Sequence, residues 1–279
     1  MAGRLEFTAG DPRKPQVSSV PDKVRSIVVA SSRPRTGKTL LARLLADHLS
    51  LAGEPRRIFD TDAVEKRLYA FFPLETTVVD LDRVPDQMKL FDSLTAPERT
   101  SQIVDLTHRS FAKFFNLMRD IDYVAEARAN GVDPIIFYIP DIEAESYEQG
   151  LTIREHFHDC AFVLVRNAAL GEPGREATRS EGYSALTSHS PALMLAKLDP
   201  FIVSAIEDSR LSLSEFTRRL AAKDAAPPLA PGQMSMAYMS LEARNEIARW
   251  LQLVFSEIRR ALRDADLHAR ILAHDRFGA

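Results

Sequence analysis

The feature that most constrains the fold is a strand, a tight turn and a helix that follow one another near the start of the chain. Residues 26–30 (SIVVA) form a short β-branched run, which is typical of a strand buried in a parallel sheet. The turn ends at Gly37, and the next segment has leucines at helical spacing before it closes at Gly53. A strand that leads directly into an amphipathic helix predicts a chain of the α/β class.

Strands and helices alternate along most of the remaining sequence. Further apolar runs predict strands at residues 57–60, 77–80, 102–106, 134–139, 161–165 and 200–204. Helix-like segments separate them, and the longest covers residues 111–130 and closes at Gly131. This alternation predicts a mostly parallel, doubly wound sheet with helices on both faces.

The sequence predicts a single folded domain between two tails. We expect a flexible N-terminal tail over residues 1–23, the domain over 24–266 and a C-terminal tail over 267–279. Within the domain, residues 171–191 are polar and predict a surface excursion, and residues 221–237 predict an Ala/Pro-rich loop.

The last predicted helix, residues 241–262, carries a strongly apolar stripe. Its members are Ile247, Trp250, Leu251, Val254, Phe255, Ile258 and Leu262. Targeting to a membrane is one interpretation, but a stripe this apolar is more typical of a helix packed on its own domain, which we favour. No run of ~18 uninterrupted apolar residues occurs, so no membrane span is expected.

Composition excludes several classes of protein. The charges nearly balance, with 36 Lys+Arg against 39 Asp+Glu, which argues against a broad nucleic-acid-binding face and leaves contact with DNA open. The single cysteine, Cys160, cannot form an intramolecular disulfide, and this fits a cytoplasmic protein. Only 11 of 279 residues are glycine, which disfavours disorder and a loop-dominated β protein.

The turn after the first predicted strand, residues 31–39 (SSRPRTGKT), is suited to binding phosphate. In such a loop the backbone N–H groups surround phosphate oxygens, the lysine reaches the β and γ phosphates, and the hydroxyl after it ligates Mg²⁺. Lys38 and Thr39 supply the last two groups, whereas Ser32 replaces the usual leading glycine. A Gly-Lys-Thr tripeptide also occurs by chance, but the flanking strand and helix favour nucleotide binding.

Three acids follow predicted strands. Asp60 and Asp62 stand at the end of the strand at 57–60, and Asp105 ends the apolar run Gln-Ile-Val. The carboxyl ends of parallel strands are where ligands bind in open α/β sheets. We therefore expect the Asp105 carboxylate to hold Mg²⁺ through a water molecule, and Asp60 and Asp62 to share a task beside it. The alternative for each acid is that it caps the next helix.

The loop SSRPRTGKT, followed by Phe-Asp-Thr-Asp and then Ile-Val-Asp-Leu, resembles the ParA/MinD-like branch of P-loop NTPases over residues 24–220. That branch also contains the CobQ/CobB and dethiobiotin synthetase enzymes and the bacterial tyrosine kinases. The proline in the loop is closer to the tyrosine kinases, but this chain ends AHDRFGA, without their tyrosine cluster. Pro34 and Arg35 stand where ParA proteins have glycine.

The resemblance implies ATP and Mg²⁺ as ligands and hydrolysis in a nucleotide-dependent homodimer. Arg33 takes the place of the signature lysine, which reaches the phosphates of the partner, and Asn167 sits where an amide reads adenine, although a turn-forming role is an equal alternative for Asn167. The implied nucleotide contacts are Ser32, Arg33, Pro34, Arg35, Thr36, Gly37, Lys38, Thr39, Leu40 and Asn167. The implied metal ligands are Thr39, Asp105 and Asp60, and the implied catalytic residues are Lys38, Asp62 and Arg33.

The leading hypothesis is a slow, Mg²⁺-dependent ATPase in which Asp62 orients the attacking water. By resemblance it would act with a stimulating partner protein as a dimer switch in partitioning, positioning or assembling plasmid, chromosome or conjugation machinery. One alternative is an ATP-dependent small-molecule ligase or kinase of the CobQ/dethiobiotin type. The other is a nucleotide-sensing scaffold that does not hydrolyse ATP, which the altered loop supports.

Overall fold

The protein contains a seven-stranded sheet in which every pairing is parallel. In the computed structural model, which describes residues 24–96, 100–222 and 240–277, the strand order is β3-β2-β4-β1-β5-β6-β7. The strands are β1 (Val24–Ala30), β2 (Arg56–Asp60), β3 (Thr76–Val78), β4 (Ser101–Asp105), β5 (Val132–Tyr138), β6 (Ala161–Asn167) and β7 (Ala192–Leu195). The strand β1 lies at the centre, between β4 and β5.

Helices cover both faces of the sheet. They are α1 (Lys38–Leu51), α2 (Val84–Thr95), α3 (Phe111–Asp120), α4 (Tyr123–Ala129), α5 (Ala144–His156), α6 (Arg175–Arg179), α7 (Glu181–His189), α8 (Pro200–Ser209), α9 (Leu213–Ala222) and α10 (Leu241–Phe277). Alternate residues of β1 enter opposite cores: Ile27 packs with α1, α8, α9 and α10, and Val28 packs with α2 to α7. The predicted parallel, doubly wound α/β architecture is confirmed.

The C-terminal helix packs on the domain, as its stripe predicts. Ile247, Val254 and Ile258 are fully buried, and Trp250 donates its indole N–H to the carbonyl of Ala196 at 2.7 Å. The helix continues to Phe277 and does not end at residue 262. None of the described helices is long and apolar enough to cross a membrane.

The strand predicted at residues 200–204 is wrong, because these residues begin helix α8. Pro200 occupies the first turn of the helix, and the Asp199 side chain caps it by accepting from the Phe201 N–H at 2.8 Å. Ile202 and Ile206 are buried four residues apart, whereas Phe201 is half exposed. The seventh strand is instead β7, which the sequence analysis did not predict.

Two other segments differ from their predicted form. The helix predicted over 111–130 is broken into α3 and α4 at Asp122, which has a left-handed backbone with φ 49°. The excursion at 171–191 contains α6 and α7, and Gly182 lies against the backbone of Tyr147, so close that a Cβ atom would be 2.5 Å away. The predicted tail 1–23 and residues 223–237 of the predicted loop lie outside the described residues.

Candidate functional site

The loop between β1 and α1 lies at the carboxyl edge of the sheet, at its centre. Two of its residues have left-handed backbones, Arg35 with φ 58° and Gly37 with φ 97°. Gly37 also has no room for a side chain, since a Cβ atom there would lie 2.6 Å from Nδ2 of Asn167. The glycine retained from the phosphate-loop pattern is therefore required by both conformation and space.

Lys38 points back into the loop. Its side chain is largely buried, and Nζ donates to the carbonyl of Arg33 at 2.7 Å and contacts the hydroxyl of Thr36 at 3.5 Å. Burial lowers the pKa of Lys38 from 10.5 to about 8; Asp105 opposes this shift and Arg67 adds to it. The site thus holds an ammonium group that is poorly solvated and surrounded by loop backbone.

Thr39 and Asp105 meet at the mouth of the loop. The Thr39 hydroxyl donates to Oδ2 of Asp105 at 2.7 Å, across the boundary between α1 and the end of β4. Burial raises the pKa of Asp105 to about 7, with smaller upward effects of Asp60 and Asp62 against the downward effects of Thr39 and Lys38. The pair presents two oxygen donors beside the ammonium group of Lys38.

Asp60 and Asp62 shape the loop after β2. The buried carboxylate of Asp60 accepts backbone N–H groups of Asp62 (3.0 Å), Leu68 (2.9 Å) and Tyr69 (3.1 Å). Oδ1 of Asp62 accepts the N–H groups two and three residues further on, at 3.2 and 3.0 Å. Burial raises the pKa of Asp60, and its backbone hydrogen bonds oppose this. Sequence reasoning missed this loop-forming role; the roles in metal binding and water orientation stay predictions.

The structure brings most of the predicted site residues around one cavity of about 640 Å³. Those that line it are Pro34, Arg35, Thr36, Gly37, Lys38, Thr39, Leu40, Asp60, Asp62 and Asp105. Three predicted residues, Ser32, Arg33 and Asn167, are not part of its wall. Ser32 instead places its hydroxyl 3.4 Å from that of Tyr138.

Arg33 faces away from the phosphate loop, toward the start of α5. Its guanidinium forms ion pairs with Asp141, at 3.5 Å, and with Glu145. Within a single chain, therefore, Arg33 is engaged by two acids. A contact with a partner's phosphates, which the resemblance implies, would require both ion pairs to break.

Asn167 holds the phosphate loop in place. Its Nδ2 donates to the carbonyl of Thr36 at 2.9 Å, and its Oδ1 accepts the N–H of Ala169 at 3.0 Å. Asn167 ends β6, so these bonds join the loop to a strand two positions away in the sheet. Contact of Asn167 with adenine stays a prediction, and its role as an anchor was not expected from the sequence.

Seven further residues line the cavity that are not among the predicted site residues: Glu65, Arg67, Thr107, His108, Arg109, Val203 and Glu207. Two signals could have pointed to the first five of these, whereas Val203 and Glu207 lie in α8, which the sequence did not predict. The first is their position shortly after the ends of β2 and β4, which contribute the predicted acids. The second is the basic pair His108-Arg109, which follows one residue after the Ile-Val-Asp-Leu run, where no apolar helix stripe accounts for it.

An all-parallel sheet with this loop between its central strand and the first helix is a P-loop NTPase-like fold. No family model and no curated protein matches the chain. Among solved structures, the chain is similar to a nucleotide-binding protein from Archaeoglobus fulgidus in complex with ADP, with a TM-score of 0.42 and 15% identity over 67% of this chain and 86% of that one. At this distance the likeness carries no information about function, and membership of the ParA/MinD branch stays a prediction.

Proposed function

We propose that the protein binds ATP with Mg²⁺ at the phosphate loop and hydrolyses it. The observation that carries this proposal is the meeting of Lys38, Thr39 and Asp105 at the carboxyl edge of the sheet, with the Thr39 hydroxyl 2.7 Å from the Asp105 carboxylate. Lys38 and Thr39 begin α1, directly after the loop, and Asp105 ends β4, the strand beside β1. Their chemistry matches the lysine, the hydroxyl and the carboxylate that triphosphate binding requires.

The donor set fits Mg²⁺. A hydroxyl and a buried carboxylate are hard oxygen ligands, and such sites hold the ion through one or two protein groups together with phosphate oxygens and water. Thr39 and Asp105 would hold it here. When bound, Mg²⁺ would neutralise charge on the β and γ phosphates.

The remaining work falls to groups of the chain itself. Lys38 exchanges its bond to the Arg33 carbonyl for phosphate oxygens, and the N–H groups at the start of α1 bind the oxygens that remain. Asp62 orients a water molecule, whose oxygen bonds to the γ phosphorus as the bond from that phosphorus to the bridging oxygen breaks. The products are ADP and inorganic phosphate, and the proton of the water passes to solvent.

Titration calorimetry with Mg²⁺ and ATP tests the proposal. Lys38→Ala should lose binding by at least about 100-fold, because charge-assisted bonds to the phosphates are removed. The variant should fold, since it removes an ammonium group whose burial is unfavourable. Lys113→Ala is the matched control. It removes a lysine on the surface of α3 that forms an ion pair with Asp82, and this variant should bind ATP as the wild type does. Equal binding by Lys38→Ala and the wild type would refute the assignment.

A small-molecule kinase or ligase is the second candidate, because a further cavity lies beside the loop. It measures about 190 Å³, is lined by Tyr147, Arg166 and Tyr183, and is separated from the phosphate loop by Asn167. ATP turnover that required an added acceptor would favour this candidate. The dimer switch that the resemblance implies would instead show as dimerisation with a non-hydrolysable ATP analogue and not with ADP.

A further inference from the structure

Transfer of a γ-phosphoryl group is accelerated by positive charge placed beside its equatorial oxygens, in addition to the charges of the loop lysine and the metal ion. The resemblance assigns this charge to Arg33 of a partner. In this chain Arg33 does not line the cavity and is held by Asp141 and Glu145. Another cationic side chain would then have to supply this charge.

Arg67 is such a cation, and it belongs to the same chain. It lines the cavity together with Lys38, and its charge lowers the pKa of Lys38, so the two positive groups face the same space. Arg109 also lines the cavity but is not among the charges that shift the pKa of Lys38. His108 lies near Lys38 as well, but burial and the charge of Lys38 lower the pKa of its imidazole below the usual 6.5, so the ring is uncharged at neutral pH. Arg67 is therefore the better-placed partner for an anion held by Lys38.

The backbone around Arg67 is fixed in place. The next residue, Leu68, is fully buried, and its N–H donates to the Asp60 carboxylate at 2.9 Å. The preceding residue, Lys66, has a left-handed backbone with φ 49°, a conformation that is costly for a lysine, and its N–H bonds to the carbonyl of Asp62 at 2.9 Å. This arrangement projects the Arg67 side chain from a rigid turn, with 59% of its surface exposed.

The Arg67 guanidinium pairs with an acid from the wall of the same cavity. Glu65, which lines the same cavity, forms an ion pair with Arg67. An exposed pair of this kind is weak, so a multiply charged phosphate can displace the carboxylate.

We propose that Arg67 contacts the γ-phosphate of bound ATP from within the same chain and stabilises the charge that develops on it, in place of an arginine from a partner. This inference rests on the proposed ATP binding. It predicts that hydrolysis does not require a second protomer's Arg33.

The test compares Arg67→Ala, Arg67→Lys, Arg33→Ala and the matched control Arg119→Ala in the full chain. Arg119 also pairs with a neighbouring acid and has a similarly exposed side chain, at 56%. Single-turnover hydrolysis of MgATP and titrations with ADP and a non-hydrolysable ATP analogue are measured for each variant. Thermal unfolding shows that each variant is folded.

Arg67→Ala should slow hydrolysis by at least about 100-fold and weaken the ATP analogue by about 10-fold, while ADP binding stays unchanged. Arg67→Lys should recover part of the rate. Arg33→Ala should slow hydrolysis far less than Arg67→Ala does, and Arg119→Ala should hydrolyse ATP at the wild-type rate. Glu65→Gln should bind the ATP analogue a few-fold more tightly, which a purely structural role of Arg67 would not produce.

Mixing Lys38→Ala with Arg67→Ala provides a second test. Because both groups act in one chain, the mixture should recover no activity. Recovery on mixing, loss of activity in Arg33→Ala, or an unchanged ratio of ATP to ADP affinity in Arg67→Ala would each overturn the inference. If Lys38→Ala abolishes binding and Arg67→Ala changes nothing, only this inference fails; if the wild type binds no nucleotide, both proposals fail.

Discussion

Replacing Asp105 with asparagine should stabilise the ligand-free protein while removing its ability to respond to Mg²⁺ and ATP. Asp105 is almost fully buried, and burial raises its pKa from 3.8 to about 7. The folded state therefore binds a proton at this carboxyl more tightly than the unfolded state does. The stability that this group contributes is present below pH 3.8 and is lost as the pH rises through about 7.

The size of the effect follows from the same shift. Relative to a side chain that does not ionise, Asp105 destabilises the folded protein by roughly 4 kcal/mol at pH 8, where it ionises in the folded state as well, and by roughly 2 kcal/mol at pH 5, where it ionises only in the unfolded chain. Asparagine has nearly the same shape and carries no charge at either pH. The free energy of unfolding of Asp105→Asn should exceed that of the wild type by an amount that grows by about 2–3 kcal/mol from pH 5 to pH 8.

Urea unfolding followed by circular dichroism, in EDTA and without nucleotide, measures this difference. Asp120→Asn is the control, because Asp120 is exposed and, within the described ranges, pairs with Arg119 on the surface. Its effect should stay within about 0.5 kcal/mol at both pH values. Addition of MgATP should then raise the stability of the wild type and not that of Asp105→Asn. A gain that is the same at pH 5 and pH 8, or a loss at pH 8, would refute the reasoning.

Two further substitutions test the loop and the core. Gly37→Ala should weaken ATP binding at least about 10-fold and lower the free energy of unfolding by about 1–3 kcal/mol, because the φ of 97° and the contact with Asn167 both disfavour a side chain at this position. Gly53→Ala is the matched control, because Gly53 also has a positive φ, 72°, but an added Cβ atom would meet none of the described residues within 4 Å. This control should lower the free energy of unfolding by about 1 kcal/mol and leave ATP binding unchanged. Calorimetry and thermal unfolding measure both effects. Equal ATP affinity and equal stability of the two variants would contradict the role given to Gly37. Gln102→Leu should raise the free energy of unfolding by about 1–2 kcal/mol, because neither amide atom of this fully buried side chain has a hydrogen-bond partner among the described residues. Gln87→Leu should lower it by about 1 kcal/mol, since it removes a 2.8 Å bond to the Leu81 carbonyl, and urea titrations that gave both changes the same sign would count against this account.

The sequence predicted the parallel sheet, because apolar strand-like runs alternate with helix-like segments along the chain. It also predicted that Lys38, Thr39 and Asp105 lie close together, because the carboxyl ends of parallel strands meet at one edge of the sheet. It did not predict helix α8, since a short apolar run such as 200–204 fits a strand and a helix equally well until Asp199 is seen to cap it. It also could not predict that Arg33 turns toward α5 or that Arg67 enters the cavity. Those positions depend on side chains from distant elements, which local patterns do not specify.

The bond between Asn167 and the carbonyl of Thr36 also bears on the order in which the molecule is assembled. It joins residues 131 positions apart in the chain. A ribosome must therefore release most of the sheet, through the end of β6, before the phosphate loop acquires its anchor. During synthesis the loop therefore lacks this anchor until β6 lies beside β5.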